Sequence, residues 1–182
     1  MKIQIIFGST REGRNGEKVC KWITEIAKNN KDFETEVLDL KELDLPMFHD
    51  PKPPFFGEYS YDYTKKWSKK IMEGAAYIIV TPEYNHGYPA VLKNALDHLY
   101  KEWNNKPVAF VSYGGSSGGT RCVEQLRQVA VELQMIPIRE EVNIPFVWEA
   151  FDENGNIKNK YLNEKADGMI AQLVSFVKKL KD

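Results

Sequence analysis

The sequence predicts an α/β fold, a five-stranded parallel sheet with helices on both faces. Two observations carry that expectation. Strand-like runs alternate with helix-like ones along the whole chain, the pattern of strands joined by right-handed helical crossovers. The strand runs are apolar almost throughout, as in a parallel sheet covered on both sides. At 182 residues the length is that of one domain, so 1–182 is read as a single unit.

The elements follow in order. Lys2 to Phe7 is the first strand, carried by Ile3, Ile5, Ile6 and Phe7. After a glycine-rich stretch, Val19, Trp22, Ile23, Ile26 and Ala27 recur at helical spacing. Glu34 to Leu40 is the second strand. Thr64 to Gly74 is helical on Trp67 and Ile71, and Ala76 to Thr81 is a buried strand that Pro82 stops. Ala90 to Trp103 is helical on Leu92, Ala95, Leu96, Leu99 and Trp103. Pro107 to Tyr113 is the fourth strand, and Thr120 to Met135 the helix after it, on Val123, Leu126, Ala130 and Leu133. Ile136 to Ile144 reads as the fifth strand despite Pro137. Asp152 to Asn156 is a turn, and Tyr161 to Leu180 a terminal helix.

One segment breaks the rhythm. Pro46 to Tyr63 holds Pro46, Pro51, Pro53, Pro54 and Gly57 among Phe48, Phe55, Phe56, Tyr59, Tyr61 and Tyr63. So long a loop in a small domain is functional or disordered, and its aromatic content excludes disorder. An ordered flap is expected, lying on the domain or on a partner subunit.

Composition limits the function. Lys and Arg total 25 against 26 Asp and Glu, a net charge of -1, without the basic excess of a nucleic-acid binder. The longest apolar run is Ala75 to Val80, far short of the roughly 20 residues that span a bilayer. The apolar part of the N-terminus is too short for a signal peptide. Cys20 and Cys122 are far apart and form no CxxC pair, which fits reduced thiols in the cytoplasm and no zinc site.

An open parallel sheet binds ligands at the carboxyl ends of its strands, and three loops there are unusual. The first, GSTREGRNG from Gly8 to Gly16, runs into a helix N-terminus, where unpaired N–H groups and the helix dipole favour an anion. Ser9, Thr10 and Asn15 add hydrogen-bond donors, and Arg11 and Arg14 add guanidinium forks. Gly8 and Gly13 have P-loop spacing, but Arg14 and Asn15 stand where Lys and Ser or Thr belong. No G-x-G-x-x-G occurs here either, so one phosphate is the expected anion. The second loop, TPEYNHGYP from Thr81 to Pro89, offers the flat face of Tyr84. It is also expected to turn the amides of Glu83 to Asn85 into the crevice. The third, SYGGSSGG from Ser112 to Gly119, lets backbone approach a ligand closely. His86 with Glu83 and Asp97 makes no hydrolytic site, because no G-x-S-x-G elbow accompanies them.

These three loops, in this order and spacing, together with TKKWSKKI from Thr64 to Ile71, resemble the NAD(P)H-dependent FMN reductase family. It is a flavodoxin-like group that includes azoreductases, quinone reductases and chromate-reducing flavoproteins. The resemblance runs from Lys2 to Ile144. It implies a flavodoxin-like three-layer sandwich holding FMN without a covalent bond. Ser9, Arg11, Arg14, Asn15 and Gly16 would hold the phosphate. Pro82, Glu83, Tyr84 and Asn85 would line the ring, and Ser112, Tyr113, Gly114 and Gly115 would close its other side. It also implies a homodimer or homotetramer and a ping-pong cycle in which NAD(P)H gives hydride to flavin N5 and a flavin, quinone or azo acceptor then takes two electrons. Such a cycle calls for no catalytic side chain and no metal. The alternative is a flavodoxin-like electron carrier or redox sensor. The chain is near neutral and lacks a hydroxyl-rich T-x-T-G-N-T loop, which favours the enzyme. His98 stands where the family commonly has Trp, and the aromatic flap is long enough to reach the mouth of the flavin site.

Overall fold

Strands β1 (Lys2–Phe7), β2 (Glu34–Asp39), β3 (Ala76–Pro82) and β4 (Pro107–Tyr113) run parallel in the computed structural model, which describes residues 1–180. Two shorter strands, β5 (Ile136–Pro137) and β6 (Val142–Ile144), both pair with β4 at the edge. The spatial order is β2-β1-β3-β4-β5. The chain doubles back between β1 and β3, and the loops leaving these strands part to open a crevice, as in flavodoxin-like folds.

The alternation of side chains sorts the core into two layers. Ile3, Ile5, Phe7, Ile78 and Val80 pack under α1 (Gly16–Lys28) and α6 (Tyr161–Lys179). Ile6, Tyr77, Ile79 and Phe110 pack on the other face, with α3 (Asp62–Met72), α4 (Ala90–Asp97) and α5 (Thr120–Glu132). Each such side chain taken fully out of water contributes about 1.5–3 kcal/mol. The helices form because their apolar residues recur at steps of three and four, as Leu162, Ala166, Met169, Leu173 and Val177 do along α6.

The expected fifth strand is interrupted. Pro107 pairs with Ile136 but Val111 with Val142, so the edge carries two more residues than β4 over the same stretch. Pro137 has no N–H, and Ile138 N–H still donates to Val108 O at 3.0 Å. The next donor in register, Glu140 N–H, is taken at 2.9 Å by Oε1 of Gln172 on α6. That side chain ends β5, and the ladder resumes at β6.

Two other boundaries move. Asp39 caps a one-turn helix, α2 (Leu40–Leu43), its side chain accepting from Lys41 N–H, so β2 ends before Leu40. The expected helix to Trp103 stops at Asp97, and a separate 3-10 turn covers Lys101–Trp103. His98, just past the end, is buried with Nε2 3.0 Å from Pro46 O and Nδ1 3.1 Å from Thr64 Oγ1.

The aromatic segment 46–63 is ordered as a strap over α3 and α4. Asn94 donates to Pro46 O at 2.9 Å and accepts from Phe48 N–H at 2.7 Å. Tyr59 Oη donates to the Glu102 carboxylate at 2.8 Å. The strap lines no part of the cleft below, so within one chain it does not reach the mouth of that site. Its hydrogen bonds to α4 hold it elsewhere.

Candidate functional site

A cleft of about 250 Å³ opens where the loops after β1, β3 and β4 meet. Ser9, Arg11, Arg14 and Asn15 from the first loop line it. So do Pro82, Glu83 and Tyr84 from the second, and Tyr113, Gly114 and Gly115 from the third. The structure thus joins three stretches that are distant in sequence.

The first loop is anchored by Gly8 N–H donating to Val80 O at 2.8 Å. Beyond it, the backbone N–H groups from Thr10 to Gly16 meet no acceptor among the described residues. They lie in the loop that leads into the N-terminus of α1, where free donors and the helix dipole both favour an anion. The two arginines part company. Arg14 lies 4.1 Å over the Phe7 ring, donates to Asp39 Oδ1 at 2.8 Å, and also holds Asp39 Oδ2 and Ser9 O. Its charge is matched by Asp39, and it works mainly as the fastener of the loop. Arg11 is exposed, with no hydrogen bond or ion pair among the described residues, so its charge faces the cleft uncompensated.

Gly16 does not line the cleft; its part is to leave space. A Cβ there would stand 2.0 Å from Tyr113 Oη and 2.6 Å from Phe7, so only glycine lets these rings close on the helix start. Tyr113 is buried, yet among the described residues its Oη makes no hydrogen bond of good geometry, with the Ser9 side chain its polar neighbour. Burial pushes its phenol far up, so Oη stays a protonated donor. A buried donor without an acceptor is costly, and this one sits at the first turn of α1.

The second loop is a tight turn. Asn85 and His86 have φ of 50° and 70°, and Tyr84 and Gly87 exchange N–H···O bonds of 2.8 and 3.0 Å, the geometry of a primed hairpin turn. Two of the three amides expected to edge the cleft, those of Glu83 and Tyr84, are therefore spent within the protein, and Asn85 N–H meets no acceptor among the described residues. Glu83 N–H donates to Tyr113 O at 3.0 Å, Tyr84 N–H is spent in the turn, and Asn85 lies outside the lining. Tyr84 lines the cleft, its Oη 3.3 Å from Ser9 Oγ.

The Glu83 carboxylate pins the second loop to the third. It accepts from Arg121 Nε at 2.6 Å, Arg121 N–H at 3.2 Å and Ser117 Oγ at 3.2 Å. Burial works to raise its pKa, but the hydrogen bonds from Arg121 and Ser117 and the guanidinium charge outweigh it and hold the carboxyl below its ordinary value. Arg121 also donates to His86 Nε2 at 2.8 Å.

Ser112, too, is behind the cleft rather than in it. It is fully buried, donates to Gly118 O at 2.9 Å and accepts from Asn143 Nδ2 at 2.9 Å. Gly119, at φ 89°, stands where a Cβ would come 2.7 Å from Ser112 Cβ. The glycines of this loop therefore fold it on itself as well as open it to a ligand.

Sequence reasoning missed one wall. Val147 and Trp148, from the loop after β6, complete the lining. Phe146 and Val147 N–H donate to Gly115 O and Gly114 O, each at 3.1 Å, and fix this fourth loop to the third. The signal was available, since the rule that ligands sit at strand carboxyl ends applies to the fifth strand as well.

Residues 1–149 match the family described as NADPH-dependent FMN reductase. The chain belongs to that family. This FMN reductase family member is accordingly an oxidoreductase that works with FMN and a nicotinamide. It is 42% identical over 148 residues to an NAD(P)H-dependent FMN reductase of Schizosaccharomyces pombe, covering 79% of this chain and 74% of that protein. An FMN-dependent NADPH-azoreductase of Staphylococcus aureus is 29% identical, over 97% of this chain and 95% of its own. The solved structure of FerB, a flavoenzyme NAD(P)H:(acceptor) oxidoreductase from Paracoccus denitrificans, superposes with a TM-score of 0.79. It covers 98% of this chain and 97% of its own at 22% identity, and so attests the fold.

Proposed function

We propose that this cleft holds FMN non-covalently, with its phosphate on the first loop and its ring toward Tyr84 and Gly115, and that NAD(P)H and a flavin, quinone or azo acceptor use the same opening in turn. The observation that carries this reading is the unpartnered Tyr113 Oη, buried beside the free N–H groups of Thr10 to Gly16. A phosphate there would accept from Tyr113 Oη and from N–H groups of that loop, with Arg11 supplying the matching charge and Ser9 and Asn15 further donors. Pro82 and Tyr84 give the cleft flat apolar walls suited to the flavin ring. FMN bound there would supply two-electron hydride chemistry.

The chain's own work is binding, orientation and exclusion of water. Gly16 and Ser112 act from behind, and Arg14, though at the cleft wall, mainly fastens the first loop to Asp39. Among the described residues no helix is long and apolar enough to cross a membrane, and we place the protein in the cytoplasm. Exposed Phe55, Phe56 and Met72 on the strap and α3 support a homodimer or homotetramer.

A visible spectrum of the protein mixed with FMN and desalted tests this reading. Retained flavin bands that bleach under anaerobic NADPH are expected, with parallel double-reciprocal lines when NADPH and a quinone are varied. Bands that persist unbleached with both NADPH and NADH would mark an electron carrier. No retained flavin would overturn the site.

A further inference from the structure

The chain contains four tryptophans, and three of them, Trp22, Trp67 and Trp103, are buried. Trp148 is 60% exposed and still lines the cleft. Phe146 beside it is 44% exposed, so the two rings form an apolar patch at the cleft, and exposed apolar patches mark binding surfaces. Trp148 is nevertheless held in place. Its ring meets Phe146 edge to face at 5.8 Å, and its far edge comes within 3.9 Å of where a Gly115 Cβ would stand. Phe146 takes φ 46°, a conformation that bulky side chains avoid, while its N–H and that of Val147 are bonded to Gly115 and Gly114. Backbone strain of this kind persists where the surrounding structure enforces it, commonly at functional sites.

The sheet order sets where this ring stands. From β1, past β3 and β4, to β6 is three strand spacings of about 4.8 Å, roughly 14 Å in all. The anion-binding loop follows β1 and Trp148 follows β6, so they occupy opposite ends of one cleft.

We propose that Trp148, braced by Phe146, is the stacking wall for the planar ring of the electron acceptor and selects flat aromatic acceptors over compact ones. This rests on the FMN reading of the cleft above. Phe146 is a positioning residue, acting only through Trp148.

The test combines fluorescence with acceptor choice. In the wild-type protein Trp148 is the tryptophan that acrylamide reaches. Adding FMN and then a flat quinone such as menadione is expected to remove most of that quenchable emission, and Trp148→Phe to lack it from the start. Trp148→Ala is expected to lower the ratio of kcat/KM for menadione to that for ferricyanide by about five- to tenfold, the scale of a lost aromatic stack. Trp148→Phe should restore the ratio to within about twofold, since a phenyl face still stacks. FMN retained while Trp148 stays fully quenchable and the Trp148→Ala ratio stays at the wild-type value would overturn this inference and leave the FMN reading intact. An altered oligomeric state of Trp148→Ala with an unaltered ratio would likewise overturn it and assign the ring to a subunit contact. A wild-type protein that retains no FMN would overturn both.

Discussion

Replacing Tyr113 with Phe separates folding from cofactor binding, because the two respond with opposite sign. Tyr113 Oη is buried without a protein partner of good geometry among the described residues. Leaving such a group unsatisfied costs about 1–3 kcal/mol. Its removal should therefore stabilise the free protein by about 1 kcal/mol, which raises Tm by roughly 2–4 °C for a domain of this size. With FMN bound, the same hydroxyl would donate to a charged phosphate. Hydrogen bonds to charged groups contribute about 1.5–3 kcal/mol, so the Kd for FMN should rise by about tenfold to a hundredfold. Thermal melts of the free protein and fluorescence titration with FMN measure the two effects. Riboflavin, which lacks the phosphate, is the control, and its affinity should not respond. An FMN Kd unchanged by Tyr113→Phe would refute the assignment of this hydroxyl to the phosphate. A free protein destabilised by the change would show that the hydroxyl already has a partner.

Two further substitutions address groups away from the cleft. Lys106 Nζ donates to Ile71 O at 3.0 Å and Tyr77 Oη at 2.9 Å, and burial draws its pKa from 10.5 down to about 8. Between those values the folded chain binds fewer protons than the unfolded one, so stability rises with pH across that window, and below it the folded state bears the cost of the buried charge. Lys106→Met should accordingly raise stability at pH 7 by about 1 kcal/mol, after discounting for partial exposure and lost hydrogen bonds. The gain should fade as pH climbs from 8 towards 10.5, and a Tm difference independent of pH would contradict this. Asn94→Ala should cost about 1–2 kcal/mol by leaving Phe48 N–H unpaired and Pro46 O with His98 Nε2 alone. Because the strap lines no part of the cleft, cleavage within 46–63 should speed up under limited proteolysis while FMN affinity holds.

The fold class was legible because it depends on periodicity. Ile3, Ile5 and Phe7 alternate with Gln4 and Ile6, and Leu162, Ala166 and Met169 step by three and four, whatever their neighbours. The loops of the site were legible because their residue types are unusual after a strand. The split of the fifth strand was not, because a single side chain, Gln172, arrives from the far end of the chain to take Glu140 N–H.

Within the site, the sequence by itself determined three of the four stretches that line the cleft and that the first of them favours an anion. Glycine, hydroxyl and arginine in Gly8 to Gly16 are local chemistry, and a helix start makes an anion site of them wherever it lies. Only the tertiary structure decided what each residue does there. Arg11 and Arg14 are alike in sequence, but the approach of Asp39 on β2 ties one down and leaves the other free. Gly16 is a glycine because Tyr113, which follows it by nearly a hundred residues, needs the room. Trp148 joins the cleft because β6 pairs with β4 and brings its loop alongside Gly115. Hydrogen-bond partners and close approaches are relations between distant segments, and they take definite values only once the sheet has set its order.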